Sequence, residues 1–541
     1  MHLLRRLWLF ILLALAAPAM AADPPRYDQL TSLFADFTQW QAGAPGDFAP
    51  ATMARRGREL AALQARLGAI PVAGWPREAK VDWLVVRSEM DRAEFVLKVT
   101  RPWARDPGFV LEPLQRLAFT PLPNEGLAKR IEGVPAMLAA ARAALDDVAA
   151  DHADLALRSL TTSDGVEDGY PARPTPPAGV IGWWQDLRAR AAVAQPELVP
   201  GIDRALAALE DYRAWLAANR PRFTARAGVG QARLDWYLRH ALQMPWGAQE
   251  ALLLSQRELD RFRAFHAVER QRNRALPELT LPENEGAYLD RLASTDAKIR
   301  RWMAESGFYD VPAGIPGDWR GMAVPPIYLE PYNVPFIRRA TPPNFWEQVQ
   351  FRDVSPDHLH AVIPGHRMDL MLANAHPNPI RRRVNDGARW QGWAVYLEEA
   401  ALQAGLFDDR PRTRELIYIF GLWRAARSVG DIENQLNTRT AAEVASWWQQ
   451  QTPLLDPDVA RKYAHIRALP GHGLEYTMGT IQMWELLSAR RLQLGEKFVL
   501  KDFHAEMLAR GRIPLALIRY EMLGDDGMEA ALFARPPIPA K

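Results

Sequence analysis

Apolar residues recur at intervals of three and four along most of this chain, and that spacing leaves little room for anything but helices. Trp83, Val86, Met90, Ala93, Val96 and Leu97, for example, fall on one side of a helical wheel. The stretch from Asp23 to about Thr100 therefore predicts antiparallel helices. A long helix is expected from about Leu127 to Ala156, and another opens at Trp183 and Trp184 and runs to about Asn219. The pattern resumes from about Ala227 to Ser306 and again from His366 to the end. Pro325 to Ile337 departs from it. That segment is too rich in proline for a central strand, so it predicts an edge hairpin or extended piece beside a cleft. The expected fold is mainly α, a large multi-helix architecture with one small β hairpin or extended segment.

A chain of 541 residues exceeds what one core usually serves, so subdomains are expected. The proline- and glycine-rich stretch from Thr161 to Gly182 is the natural seam. It divides an N-terminal helical subdomain, 22–182, from a C-terminal helical domain, 183–541. Residues 1–21 form a separate unit: a basic start at Arg5 and Arg6, a short apolar run, and small residues at Ala19 and Ala21. These are the marks of a secretory signal peptide cleaved after Ala21. The expected product is periplasmic or secreted and has no stable membrane anchor. Loss of the two arginines takes the formal charge from +2 to zero, which gives no electrostatic basis for binding nucleic acid. Cysteine is absent, which excludes thiol nucleophiles, thiolate metal ligands and a lipid-accepting cysteine.

The chemistry concentrates in one place. His358, His360 and His366 lie within nine residues, although the whole chain holds only 11 histidines. His360 and His366 are six apart, and on an unbroken helix they would point roughly 120° away from each other. Pro364 and Gly365 stand between them. Proline removes a backbone donor and glycine admits unusual dihedrals, so a break there could turn both imidazoles inward. From the residues alone, the group fits either a metal pair or histidines that cap a helix end or line a polar pocket. A helix is expected from about Asp386 to Ala404. Gln391 and Glu398 are seven apart on it and share a face, while Trp390, Trp393 and Tyr396 supply packing. Glu398 and Glu399 read either as part of a site or as a solvated face.

These motifs resemble the bacterial domain of unknown function 885 family, which is similar to zinc-dependent gluzincin peptidases. The resemblance is carried by His360 to His366, by Gln391 to Tyr396, by Leu469 to Gly479, by Phe503 with His504, and by Gly511 to Leu515. It covers the chain from about Trp236 onward. The family pattern is His-Glu-x-x-Pro-Gly-His followed by Glu-Gly-Trp. The resemblance implies a zinc ion held by the two histidines and by the glutamate before Gly-Trp, with the glutamate after the first histidine as general base. His360 and His366 match as ligands, but Ala361 occupies the base position and Gln391 the third-ligand position. Asp431 to Gln435 lacks the histidine usual in that pattern, and Leu487 replaces a usual arginine.

Alanine cannot accept a proton, and loss of a positioned base costs about 10²- to 10⁴-fold in rate. Glutamine leaves the ion without an anionic ligand. The expectation is therefore a degenerate zinc site in a metallopeptidase-like hydrolase or pseudoenzyme that retains a peptide or small-molecule ligand. Asp357, Glu398 or Glu399 would be the substitute carboxylate of a still-active metal-dependent peptidase. His472 and Tyr476, four apart on an expected helix, are the candidate catalytic pair, with the tyrosine stabilising an oxyanion; a buried structural tyrosine is the alternative. The 19 tryptophans leave a third reading open, a binder or hydrolase of cell-wall carbohydrate.

Overall fold

The computed structural model describes residues 26–43, 47–162, 177–322, 345–455 and 470–540, together with residues 459, 463, 466 and 467. The expected signal peptide and the expected hairpin at Pro325 to Ile337 lie outside them. The described residues are mainly helical, as the apolar spacing predicts. Their β structure is confined to one isolated bridge between Ala149 and Ala225.

The helices that matter here are α1 (Tyr27–Ala42), α2 (Pro50–Gly68), α3 (Arg77–Phe95), α4 (Ala150–Thr161), α5 (Gly179–Ala194), α6 (Val199–Asn219), α7 (Ala248–Arg272) and α8 (Glu285–Ser306). They are followed by α9 (Ser355–Ala361), α10 (His366–Asn374), α11 (Gly387–Gln403), α12 (Pro411–Gln435), α13 (Glu475–Leu494), α14 (Leu500–Leu508) and α15 (Leu515–Leu523). Two of the long helices expected from the sequence are broken. The run from Trp183 to Asn219 divides at Gln195, because Pro196 has no N–H to continue the ladder. The run from Leu127 to Ala156 becomes three helices, interrupted at Gly133 and again between Leu145 and Ala149.

One large apolar cluster joins α1, α2 and α3 to α7, α8 and the helices from α9 to α15. A second gathers Val110 to Leu160 with Trp183, Trp184, Leu187 and the inner face of α6. Helices on both sides of the proline-rich seam therefore share an apolar core. The expected boundary at 182/183 runs through that cluster, and α1–α3 belong to the larger one.

Helices α11 and α12 are buried almost all round. From Ala388 to Leu402 and from Arg412 to Gln435 nearly every side chain is removed from water, as expected for helices inside a core. Helix α11 runs along α13, and α12 along α7. The first pair meets backbone to backbone: a Cβ on Gly479 would stand 2.0 Å from the Ala388 carbonyl oxygen and 2.7 Å from the Gly392 Cα. Helix α3 fixes the start of α11. Arg92 pairs with Asp386, whose Oδ1 accepts the Arg389 N–H at 2.9 Å and caps the helix. Since α11 carries Gln391 and Glu398, its closeness to α13 sets where the site lies. Gly479→Ala should separate the two helices and destabilise the protein by about 3 kcal/mol, measured as a shift in urea unfolding midpoint; a change under about 0.5 kcal/mol would contradict that contact.

Candidate functional site

The chain breaks where Pro364 and Gly365 predict. Helix α9 ends at Ala361 and α10 begins at His366. The turn between them folds back so tightly that a Cβ on Gly365 would lie 1.8 Å from the His360 carbonyl oxygen. No larger residue fits there. The Trp393 indole N–H donates to the Pro364 carbonyl at 3.0 Å and holds the turn against α11. As a result the His360 and His366 rings meet edge to face, with centroids 4.6 Å apart.

Each imidazole is then fixed by a different partner. His360 Nδ1 donates to Glu398 Oε1 at 2.7 Å, which leaves Nε2 as the nitrogen with a lone pair. Glu398 is gripped by Arg424 on α12 through two bonds, Nη1 to Oε2 at 2.7 Å and Nη2 to Oε1 at 2.8 Å, and Nη2 stands 3.3 Å from His360 Nδ1. Such a forked guanidinium–carboxylate pair is the strongest side-chain hydrogen-bonding arrangement available here. His366 Nε2 accepts the Trp390 indole N–H at 3.0 Å, so its proton sits on Nδ1. Gln391 adjoins His366, yet His366 Nδ1 and Gln391 Oε1 are each buried without a well-formed hydrogen bond.

The electrostatics follow from burial. Desolvation lowers the pKa of both imidazoles. That of His366 falls well below its ordinary value, with the charges of His360, Arg424 and Arg512 adding to burial. Burial pushes Glu398 upward, but Arg424 and His360 outweigh it and hold the carboxylate below its usual range. Burial, with Glu398 beside it, raises Asp357 to about 7.

These donors do not fit zinc. The Nε2 lone pair of His366 is occupied by an indole N–H, Gln391 is neutral, and Arg424 already neutralises Glu398. Zn²⁺ would therefore meet no free anionic ligand. Among the described residues no group of three or more His, Asp or Glu side chains is arranged to hold a metal ion. Ala361 leaves the position after His360 without a base.

This segment, residues 355–522, matches the family described as bacterial protein of unknown function (DUF885). The site segment matches DUF885. No curated protein matches the chain. Two solved structures share the fold. A proposed lipoprotein of unknown function from Shewanella oneidensis aligns with a TM-score of 0.66 at 16% identity, covering 92% of this chain and 99% of its own. A proposed lipoprotein from Colwellia psychrerythraea aligns with a TM-score of 0.64, also at 16% identity, over 91% and 98%. At that identity the likeness is one of fold. It extends well beyond the DUF885 match, to the N-terminal helices as well.

Other candidates in and around the DUF885 segment fall in different places. His358 is fully buried and bonds Asp296 of α8 at 2.7 Å, away from the imidazole pair. Glu399 pairs with Arg261 of α7. Glu398 and Glu399 are therefore interior groups, which overturns the reading of them as a solvated face. His472 sits in the turn before α13, which begins only at Glu475, and its ring still meets that of Tyr476 edge to face, with centroids 6.3 Å apart. That turn is held by Asp431, whose Oδ2 accepts the Gly473 N–H at 2.8 Å. Tyr476 lies under the Arg427 guanidinium, 5.0 Å from it. His504 is a bracing residue: the Tyr396 hydroxyl donates to its Nε2 and its Nδ1 donates to the Phe308 carbonyl, both at 2.8 Å. Burial lowers its pKa to about 4, so it stays neutral.

Sequence reasoning missed Arg424, Arg427 and Arg512. The first two lie mid-helix with no motif around them, and the third sits inside the Gly511 to Leu515 match without a role assigned to it. Glu398→Gln should destabilise the protein by about 3–5 kcal/mol by stranding Arg424, while Glu398→Gln combined with Arg424→Met should recover most of that loss. A thermal-unfolding double-mutant cycle that finds the two changes additive would contradict the pairing.

Proposed function

We propose that this chain is an exported peptide-binding protein on a zinc-peptidase-like framework, one whose centre has exchanged metal chemistry for a fixed ion pair. One observation carries the reading: Glu398, the carboxylate that touches His360, is bound at both oxygens by Arg424. Ala361 and Gln391 in the base and third-ligand positions supply neither an anion to hold zinc nor a base to activate its water. His366, Trp390 and Gln391 are only half-buried, which is consistent with a ligand reaching them from solvent. Export is supported by the expected signal peptide and by lipoprotein relatives of the same fold. This chain, lacking cysteine, would be released rather than lipid-anchored.

Asp357 favours a second reading. Its Oδ2 is buried without a partner one helical turn before His360, and its pKa lies near neutrality, where a general base works best. Residual hydrolysis through Asp357 would be insensitive to chelators and lost in Asp357→Asn.

Purified untagged protein should bind members of a peptide library without cleaving them and carry zinc well below one equivalent by mass spectrometry. Ala361→Glu with Gln391→Glu should raise zinc affinity at least about 100-fold. Stoichiometric zinc with chelator-sensitive cleavage by the native protein would refute the proposal.

A further inference from the structure

Arg512 poses a problem that nothing yet described resolves. Its side chain is about 5% exposed, and the guanidinium lies over the Trp390 indole, 4.6 Å from the ring centroid. Arginine cannot shed its proton, and a desolvated charge without a counter-ion is costly. Among the described residues Arg512 has no ion pair, and its Nε is buried with no hydrogen-bond partner. The opposite charge that acts on it, Asp369, is itself buried and bonded to Arg389 at 2.9 and 3.3 Å.

The position matters. Trp390, on which Arg512 rests, donates to His366, and the charge of Arg512 is felt at that imidazole. His366 Nδ1, the protonated nitrogen, is a buried donor that makes no well-formed hydrogen bond with the adjoining Gln391 amide. Glu398 cancels Arg424, Gln391 is neutral, and both imidazoles are uncharged at neutral pH, so beside Trp390 and His366 the charge left uncancelled is that of Arg512. A site of this ancestry would attract a cation; this one is arranged for an anion. Arg427, also buried and without an ion pair among the described residues, is a different case, since with Asp431 it lines a cavity of ≈ 10 Å³, room for about one water.

We infer that the centre takes a carboxylate, the free C-terminus of a bound peptide, with Arg512 as its cationic partner and His366 as a second donor. The source of the carboxylate rests on the peptide-binding reading; the preference for an anion does not.

The test uses the full mature chain and its Arg512→Met variant, with N-acetyl-trialanine as the free acid and as the C-terminal amide, read by calorimetry. The acid should bind roughly 10- to 100-fold more tightly than the amide, and Arg512→Met should erase the difference. The ligand-free variant should melt at or above the native midpoint, because an uncompensated charge has gone. Equal binding of acid and amide by the native protein overturns the carboxylate inference and leaves peptide binding standing. If neither peptide binds, acetate decides at matched ionic strength against chloride. A raised melting midpoint in the native protein, absent in Arg512→Met, upholds the anion site and rejects the peptide. No effect rejects both, and an effect of phosphate without acetate rejects the carboxylate.

Discussion

The forked bond between Arg424 and Glu398 is the constraint on which the centre depends. Both groups are buried, so neither can be left alone, and each is satisfied by the other. Glu398, held in its ionised form, accepts the Nδ1 proton of His360 and thereby fixes the tautomer and orientation of that ring. His360 in turn packs edge-on against His366. Where a metallopeptidase would place a divalent cation among acidic ligands, this protein places a guanidinium on the acid.

The surroundings enforce the arrangement. Helices α11 and α12 are interior along nearly their whole length, so any polar side chain on them must find a partner inside the protein. Arg412 and Glu415, Arg424 and Glu398, and Arg389 and Asp369 all do. Glycine contacts leave α11 no freedom to shift: Gly392 and Gly479 bring two helix backbones together, and Gly365 lets the chain double back over His360. Arg92 ties the start of α11 to α3, so the N-terminal helices help to position the centre although they contribute no chemistry to it. Arg512 is a buried cation to which the described residues supply no ion pair.

Much of this was legible in the sequence, for definite reasons. A proline–glycine step between two histidines six apart can break the helix and reunite them, and the structure has that break. The helix carrying Gln391 and Glu398 was readable from its aromatic and acidic pattern and begins within a residue of its expected start. The arginines were not readable. Local pattern places Arg424 and Arg427 on an ordinary helix, and only the packing of α12 between its neighbours turns a surface-like residue into a buried counter-ion. Glu399 looked solvated for the same reason. His472 was assigned to a helix that begins three residues later, since glycines at 471 and 473 favour a turn that Asp431 then caps. The long helices divide at Pro196, which has no N–H to continue the ladder, and at Gly133, breaks that the spacing of apolar residues does not register.

The central claim, that a fixed ion pair stands where zinc would be held, is open to direct inspection. Crystals grown with excess zinc and measured on both sides of the zinc absorption edge would locate any bound ion. The account predicts no anomalous peak between His360 and His366, with Arg424 still seated on both oxygens of Glu398. A peak about 2.1 Å from a nitrogen of each imidazole, with a carboxylate oxygen completing the shell and Arg424 displaced, would contradict it.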